Sequence, residues 1–163
     1  MSEARHRTHV PLHIPVPWVF VLTYLVGVCL EFAFPLGLRP ETQAKFFVAG
    51  VVVFLLGCIV AGWGWGLFHR ARTTTIPGRA STTLVTSGPY RFTRNPMYIG
   101  LSLGYLGEAG LQKHVWPIPL LLLVLAYVNW FVIPLEEARL HEVFGAEYDA
   151  YRARTWRLVP SLY

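Results

Sequence analysis

The sequence has little charge for its size. Asp, Glu, Lys and Arg make up 14% of its 163 residues, whereas soluble domains average roughly 25%. Hydrophobic residues reach 54%, and the few charges are concentrated between long uncharged stretches, as they are between membrane spans. The composition therefore argues against a soluble globular protein and predicts one integral membrane domain over residues 1–163.

Cysteine is also scarce, which excludes a disulfide scaffold. Cys29 and Cys58 lie inside apolar runs and do not have the spacing of paired metal ligands. His6, His9 and His13 lie in a polar stretch without converging ligands, so no metal site is predicted. The net charge is +5, but most arginines adjoin apolar runs. We interpret them as topology signals and expect no nucleic-acid partner.

The apolar stretches predict an all-α membrane protein with four transmembrane helices, of which the last two form a hairpin. The predicted spans cover residues 16–36, 46–68, 96–111 and 115–135. The second contains no charged residue and is the clearest span. The third is short and contains Glu108, so we expect a short or tilted span that is shielded by its neighbours.

Small residues recur on one face of the second predicted span. Gly50, Gly57, Ala61 and Gly64 would allow another helix to approach closely. The pattern suits either an intramolecular contact or a dimer, and the oligomeric state is left open.

After the last span, residues 136–157 are predicted to continue as an amphipathic cytoplasmic helix that Gly145 interrupts or bends. With four spans, the N-terminus, the 69–95 loop and the C-terminal tail share one side, which carries most of the arginines. Arg39, Lys45 and Lys113 fall on the other side. The positive-inside rule places the arginine-rich side, both termini and the active site in the cytoplasm. We expect a bacterial inner membrane.

The 69–95 loop is rich in arginine and contains no acidic residue. Its bulky residues, such as Tyr90 and Phe92, favour an ordered functional loop over a linker. Glu136 and Glu137 lie on the same predicted side, where two adjacent carboxylates need a partner. That partner could be one of the arginines at positions 91, 94 and 139, or it could be a ligand with hydroxyl or ammonium donors.

Two blocks of sequence carry a resemblance to a known family. Residues 84–100 read LVTSGPYRFTRNPMYIG, and residues 136–148 contain EEARL followed by FGAEY. In this order, each flanking a span, they resemble the isoprenylcysteine carboxyl methyltransferases and the related phospholipid methyltransferases. The resemblance covers about half of the chain and implies a small helical membrane enzyme that uses S-adenosylmethionine.

The resemblance also implies site residues. The positions that would contact the cofactor are Thr82, Thr83, Leu84, Val85, Tyr90, Asn95, Pro96, Met97, Tyr98, Glu136 and Glu137. The positions that would contact the acceptor are Arg91, Arg94 and Val132. The acceptor itself would be lipid-like or a small hydrophobic molecule, entering from the surrounding membrane lipids.

The sequence departs from the isoprenylcysteine enzymes at informative positions. Asn95 stands where the eukaryotic enzymes have His, and Thr82 also stands at a position where they tend to have His. Asn95 cannot titrate, so no general acid or base is assigned there and no catalytic residue is predicted. Val132 stands where the prenylcysteine enzymes carry an Arg, which argues against a prenylcysteine carboxylate as substrate. Two other functions remain as alternatives to a membrane methyltransferase. They are an NADPH-dependent membrane reductase and a non-enzymatic membrane module.

Overall fold

The computed structural model describes residues 15–70 and 83–159, except for the side chain of Phe68. These residues form helices and no β-strand. The longer helices are α1 (Val16–Ala33), α2 (Pro40–Arg70), α3 (Pro96–Gln112), α4 (Pro117–Tyr127) and α5 (Ile133–Phe144). Shorter elements are a 3₁₀ turn at Gly88–Arg91, a π-helical turn at Val128–Val132 and helix α6 at Ala146–Arg152. The predicted all-helical class is confirmed for the described residues.

Among the described residues, three helical stretches are long and apolar enough to cross a membrane. They are Val16–Ala33, Pro40–Leu67 and Pro117–Phe144. The last of these joins α4, the π-helical turn and α5, so the predicted continuation of the final span into residues 136–144 is confirmed. The predicted third span corresponds to α3, which has 17 residues and is not one of the three.

Two predicted boundaries are wrong. The second span is predicted to begin at residue 46, but α2 already begins at Pro40 because proline is accommodated in the first turn of a helix. The helix predicted over residues 136–157 ends at Phe144, and Gly145 adopts a φ of +50°, which an L side chain rarely adopts. Helix α6 restarts at Ala146 and ends at Arg152. Gly145 therefore breaks the helix.

Helices α2 and α3 pack backbone to backbone through the predicted small-residue face. A Cβ on Gly50 would lie 2.6 Å from the carbonyl carbon of Gly110, and one on Gly57 would lie 2.5 Å from the nitrogen of Gly104. Gly100 meets Ala61 in the same way. Close approach of helices at glycine is typical of membrane packing, where van der Waals contact drives association. In the described chain this face serves an intramolecular contact.

A carboxylate joins α1 to the turn between α3 and α4. Oε2 of Glu31 accepts hydrogen bonds from the backbone N–H groups of Val115 and Trp116, at 2.8 and 3.1 Å. Oε1 accepts a third from the N–H of Leu36, at 3.0 Å. Val115 and Trp116 immediately precede α4, where backbone N–H groups lack intrahelical partners. Glu31 therefore caps α4 from a neighbouring helix.

The core lies between α1, α3 and the long helix formed by α4, the π-helical turn and α5. Its buried members are Val16, Phe20, Tyr105, Leu121, Val124, Val128, Val132 and Ile133. Many large apolar side chains on the outer faces are exposed, including Leu25, Leu55 and Leu122. A bilayer would cover such surfaces, which a soluble monomer rarely presents.

Candidate functional site

The loop before α3 is anchored on the end of α2. Gly88 has a φ of +61°, and a Cβ there would lie 2.6 Å from Cδ1 of Leu67 and 3.0 Å from Nε1 of Trp63. Glycine is therefore required by both backbone conformation and space. The resulting 3₁₀ turn buries Tyr90, whose hydroxyl lies 3.6 Å from where a Cβ on Gly64 would be. Residues 83–95, the part of the predicted loop that the structure describes after α2, therefore pack against the end of α2.

The same loop pairs with residues 152–157, which begin at the last residue of α6 and which we call the arginine segment. Thr93 and Trp156 form an isolated parallel bridge, with bonds from Arg94 N–H to the Trp156 carbonyl at 2.8 Å and from Trp156 N–H to the Phe92 carbonyl at 3.0 Å. Nδ2 of Asn95 donates to the Arg157 carbonyl at 2.7 Å. The arginine segment thereby holds the loop that enters α3.

Glu137 is the charged centre of this contact. Nε of Arg94 lies 3.0 Å from its Oε1, and Nη2 of Arg157 lies 2.8 Å from its Oε2. The carboxylate is buried, and Arg94 also donates to the carbonyls of Arg152 and Thr155. A buried carboxylate with two guanidinium partners is a structural ion pair that is costly to break from one side. Arg94 was one of three predicted partners, whereas Arg157 was missed, because it reaches Glu137 only through the pairing of residues 92–94 with Trp156 after α6.

Glu136 has a different environment. Its Oε1 accepts a 2.7 Å hydrogen bond from the hydroxyl of Tyr98, which lies in the first turn of α3. Within the described residues, its Oε2 accepts no hydrogen bond. The two sequence blocks that carried the resemblance therefore meet in space, through Tyr98 and Glu136 on one side and through Arg94 and Glu137 on the other.

Two tyrosines that contact each other, Tyr90 and Tyr151, stay protonated at neutral pH. Burial, with smaller contributions from Tyr151 and Glu136, raises the pKa of the Tyr90 hydroxyl well above its ordinary value. Burial also raises the pKa of Tyr151 to about 12, and its hydroxyl donates to the Tyr90 carbonyl at 2.8 Å. At neutral pH both groups are hydrogen-bond donors.

The remaining predicted site residues are distributed unevenly. Thr83 is exposed, Leu84 and Val85 are half-buried, and Thr82 lies outside the described residues. Pro96 is buried and Met97 is half-buried against Gly64. Arg91 is exposed, and Val132 is buried in the hydrophobic core. The structure therefore brings Tyr90, Met97, Tyr98 and Glu136 to one end of the helices. Val132 lies one helical turn before Glu136.

The arrangement can bind a ligand that carries hydroxyl or ammonium donors. A carboxylate with one oxygen held by Tyr98 and the other without a hydrogen bond among the described residues can accept such donors. This fits the ribose and amino groups of a nucleoside cofactor such as S-adenosylmethionine. Among the described residues, no group of three or more His, Cys, Asp or Glu side chains could hold a metal ion.

Fold and site together define a helical protein with helices of membrane-crossing length and a tyrosine–carboxylate site at one end. The chain belongs to the phospholipid methyltransferase family, whose model matches residues 46–147. This range includes nearly all of both resemblance blocks, so the family resemblance is confirmed. It makes the chain a member of a family of membrane methyltransferases.

Two curated relatives cover part of the same region. The chain is 36% identical over 87 residues to the nickel-cobalt-cadmium resistance protein NccN of Alcaligenes xylosoxydans xylosoxydans. It is 37% identical over 87 residues to the cobalt-zinc-cadmium resistance protein CzcN of Cupriavidus metallidurans. Each match covers 53% of this chain and 40% of the relative, so the chain spans less than half of either relative. No solved structure matches.

Proposed function

We propose that the protein is an S-adenosylmethionine-dependent methyltransferase that methylates a lipid-like or small hydrophobic acceptor in the membrane. The observation that carries the proposal is the contact between Tyr98 and Glu136, at 2.7 Å, because it joins the two family blocks at one polar site. Membership of the phospholipid methyltransferase family supports the reaction class.

The residues fit the cofactor by their chemistry. Glu136 would accept hydrogen bonds from its ribose or amino group, while Tyr90 and Tyr98 would pack on or bond to the adenosine. Residues 82–85 and 95–97 would supply the remaining contacts. Glu137 would support the cofactor site indirectly, because it holds Arg94 and Arg157 and so keeps the loop in place.

When bound, S-adenosylmethionine supplies a methyl group on a sulfonium, which is already activated for displacement. The protein then has to align donor and acceptor and keep water out. The loop pinned by the arginine segment closes one side of the site, and the buried Tyr90 fills the space above Gly64.

The part of the acceptor that lies in the membrane would be uncharged or weakly polar. Val132 is 6% exposed and packs in the apolar core, one turn before Glu136 on the long helix. A buried carboxylate of the acceptor would find no counter-charge there. Of the two arginines predicted to contact the acceptor, Arg94 is engaged by Glu137, whereas Arg91 is exposed.

In the membrane, we propose that α3 is a fourth, short crossing shielded by α2. The glycines of α3 at positions 100, 104, 107 and 110 lie along its close contact with α2. Helix α2 would therefore cover much of the surface of α3. The 83–95 loop, the arginine segment and both termini would then face the cytoplasm of a bacterial inner membrane, as the positive-inside rule requires.

Ligand-dependent thermal stability of detergent-purified protein tests the proposal. S-adenosylhomocysteine should raise the melting temperature and NADPH should not, because only a ligand of the native state stabilises it. Stabilisation by NADPH alone would favour a reductase, and no shift with either ligand would favour a non-enzymatic module. In a second assay, tritiated methyl groups from S-adenosylmethionine should label the lipid fraction of native membranes, and labelling should require the protein.

A further inference from the structure

A second concave site lies beside the proposed cofactor site. A cavity of about 570 Å³ is lined by Arg94, Arg152, Ala153, Arg154, Thr155, Trp156 and Arg157. None of Tyr90, Tyr98 and Glu136 lines it. The methyl-transfer proposal therefore makes no use of this cavity.

The lining is strongly cationic. Of its four arginines, Arg94 and Arg157 share the single negative charge of Glu137. Within the described residues, Arg152 and Arg154 form no ion pair, and Nε of Arg154 is bonded only to the Ala150 carbonyl. A concave surface of one sign focuses potential and attracts a counter-ion. Guanidinium groups bind phosphate oxygens in bidentate geometry, so a phosphate is the fitting anion.

Exposed aromatic residues flank the same cavity. Phe92 is 67% exposed and Trp156 is 44% exposed, and the backbone bond between them holds the two residues side by side. Aromatic side chains next to arginine are typical of the level where lipid headgroups meet the acyl chains. Here they would enter that layer while the arginines face the headgroups.

We propose that this cavity binds the phosphate headgroup of an anionic membrane lipid such as phosphatidylglycerol. Arg152 and Arg154 contribute the free charge, and Trp156 and Phe92 rest in the interface. The bound lipid fixes the arginine segment, and with it the loop that enters α3, against the membrane surface. The proposal does not depend on the methyl-transfer reaction.

Native mass spectrometry of delipidated protein titrated with phosphatidylglycerol or phosphatidylcholine of the same chain length tests this site. One phosphatidylglycerol should bind with higher affinity than phosphatidylcholine. Replacing Arg152→Gln together with Arg154→Gln should weaken it roughly 30-fold, since each interfacial arginine contributes on the order of 1 kcal/mol. Arg39→Gln with Lys45→Gln removes two exposed charges near the opposite end of α2 and should leave the affinity unchanged.

Two further measurements distinguish a loss of lipid binding from a loss of folding. Arg152→Lys with Arg154→Lys keeps the charge but loses the bidentate geometry, so it should lose less affinity than the glutamine pair. Raising salt from about 0.1 M to about 1 M should weaken binding to the wild type. Equal binding of both lipids, insensitivity to salt, or an unchanged affinity in the double glutamine variant would each overturn the proposal. Binding of glycerol phosphate as tightly as the lipid would also overturn it, by indicating a site for a soluble anion.

Discussion

The hydroxyl of Tyr98 donates a hydrogen bond of 2.7 Å to Oε1 of Glu136. Tyr98 lies in the first turn of α3 and Glu136 in the first turn of α5, so the contact joins two helices through residues that are 38 positions apart in sequence. Tyr98 holds one carboxylate oxygen, and the other accepts no hydrogen bond among the described residues. The pair is therefore an acceptor group set by a neighbouring helix.

Replacing Glu136→Gln should weaken the binding of S-adenosylhomocysteine about tenfold or more while the protein stays folded. A hydrogen bond to a charged group is worth roughly 1.5–3 kcal/mol, and the amide keeps the shape but loses the charge. Isothermal titration in detergent measures the affinity, and Glu142→Gln, on the exposed face of the same helix, is the matched control. Wild-type affinity in Glu136→Gln would remove the carboxylate from the cofactor site.

Replacing Glu137→Gln should destabilise the protein by about 3 kcal/mol, because it leaves the guanidinium groups of Arg94 and Arg157 without their counter-charge. The control is Asp149→Asn, whose pair with His141 is more than half exposed and should contribute about 1 kcal/mol or less. Unfolding in mixed micelles gives both values. If the two variants lose the same stability, Glu137 is not the centre of the contact.

Replacing Gly50→Val should destabilise the α2–α3 contact by about 1–3 kcal/mol, since the new side chain would collide with the backbone of Gly110. Gly62→Val is the control in the same helix, because a Cβ at Gly62 meets nothing within 4 Å. Thermal melts of both variants in one detergent make the comparison. A larger loss in Gly62→Val than in Gly50→Val would contradict the observed packing.

A reporter fused after Tyr163 should give a cytoplasmic signal, because the arginine-rich side stays inside. A cysteine introduced at Lys113, which is exposed at the end of α3, should be labelled from the opposite side of the membrane. That labelling distinguishes a crossing α3 from one that lies on the cytoplasmic face. A periplasmic reporter signal would reverse the orientation inferred from the charges.

The sequence predicted those features that depend on local composition. Hydropathy located the long apolar helices, and the spacing of Gly50, Gly57 and Ala61 predicted the face that contacts α3, because side-chain size alone permits that approach. The meeting of residues 88–98 with Glu136 and Glu137 followed from placing both on one membrane side.

Features that depend on tertiary contacts could not be predicted in the same way. Arg157 reaches Glu137 only because Gly145 breaks the helix and the arginine segment returns to pair with residues 92–94. The π-helical turn at Val128–Val132 also has no marker in the hydrophobic pattern. Both arise from long-range packing that overrides local periodicity.

The bonds from Glu31 to Val115 and Trp116 have a consequence for assembly in the membrane. When α1 leaves the ribosome, Oε2 of Glu31 lacks its two donors until residues 84 and 85 positions later have been synthesised, although Leu36 already lies within reach of Oε1. A lone carboxylate is costly in hydrocarbon, so α1 should remain in a hydrated or protein-lined site until the α3–α4 turn arrives. We therefore expect the insertion of α1 and α4 to be coupled.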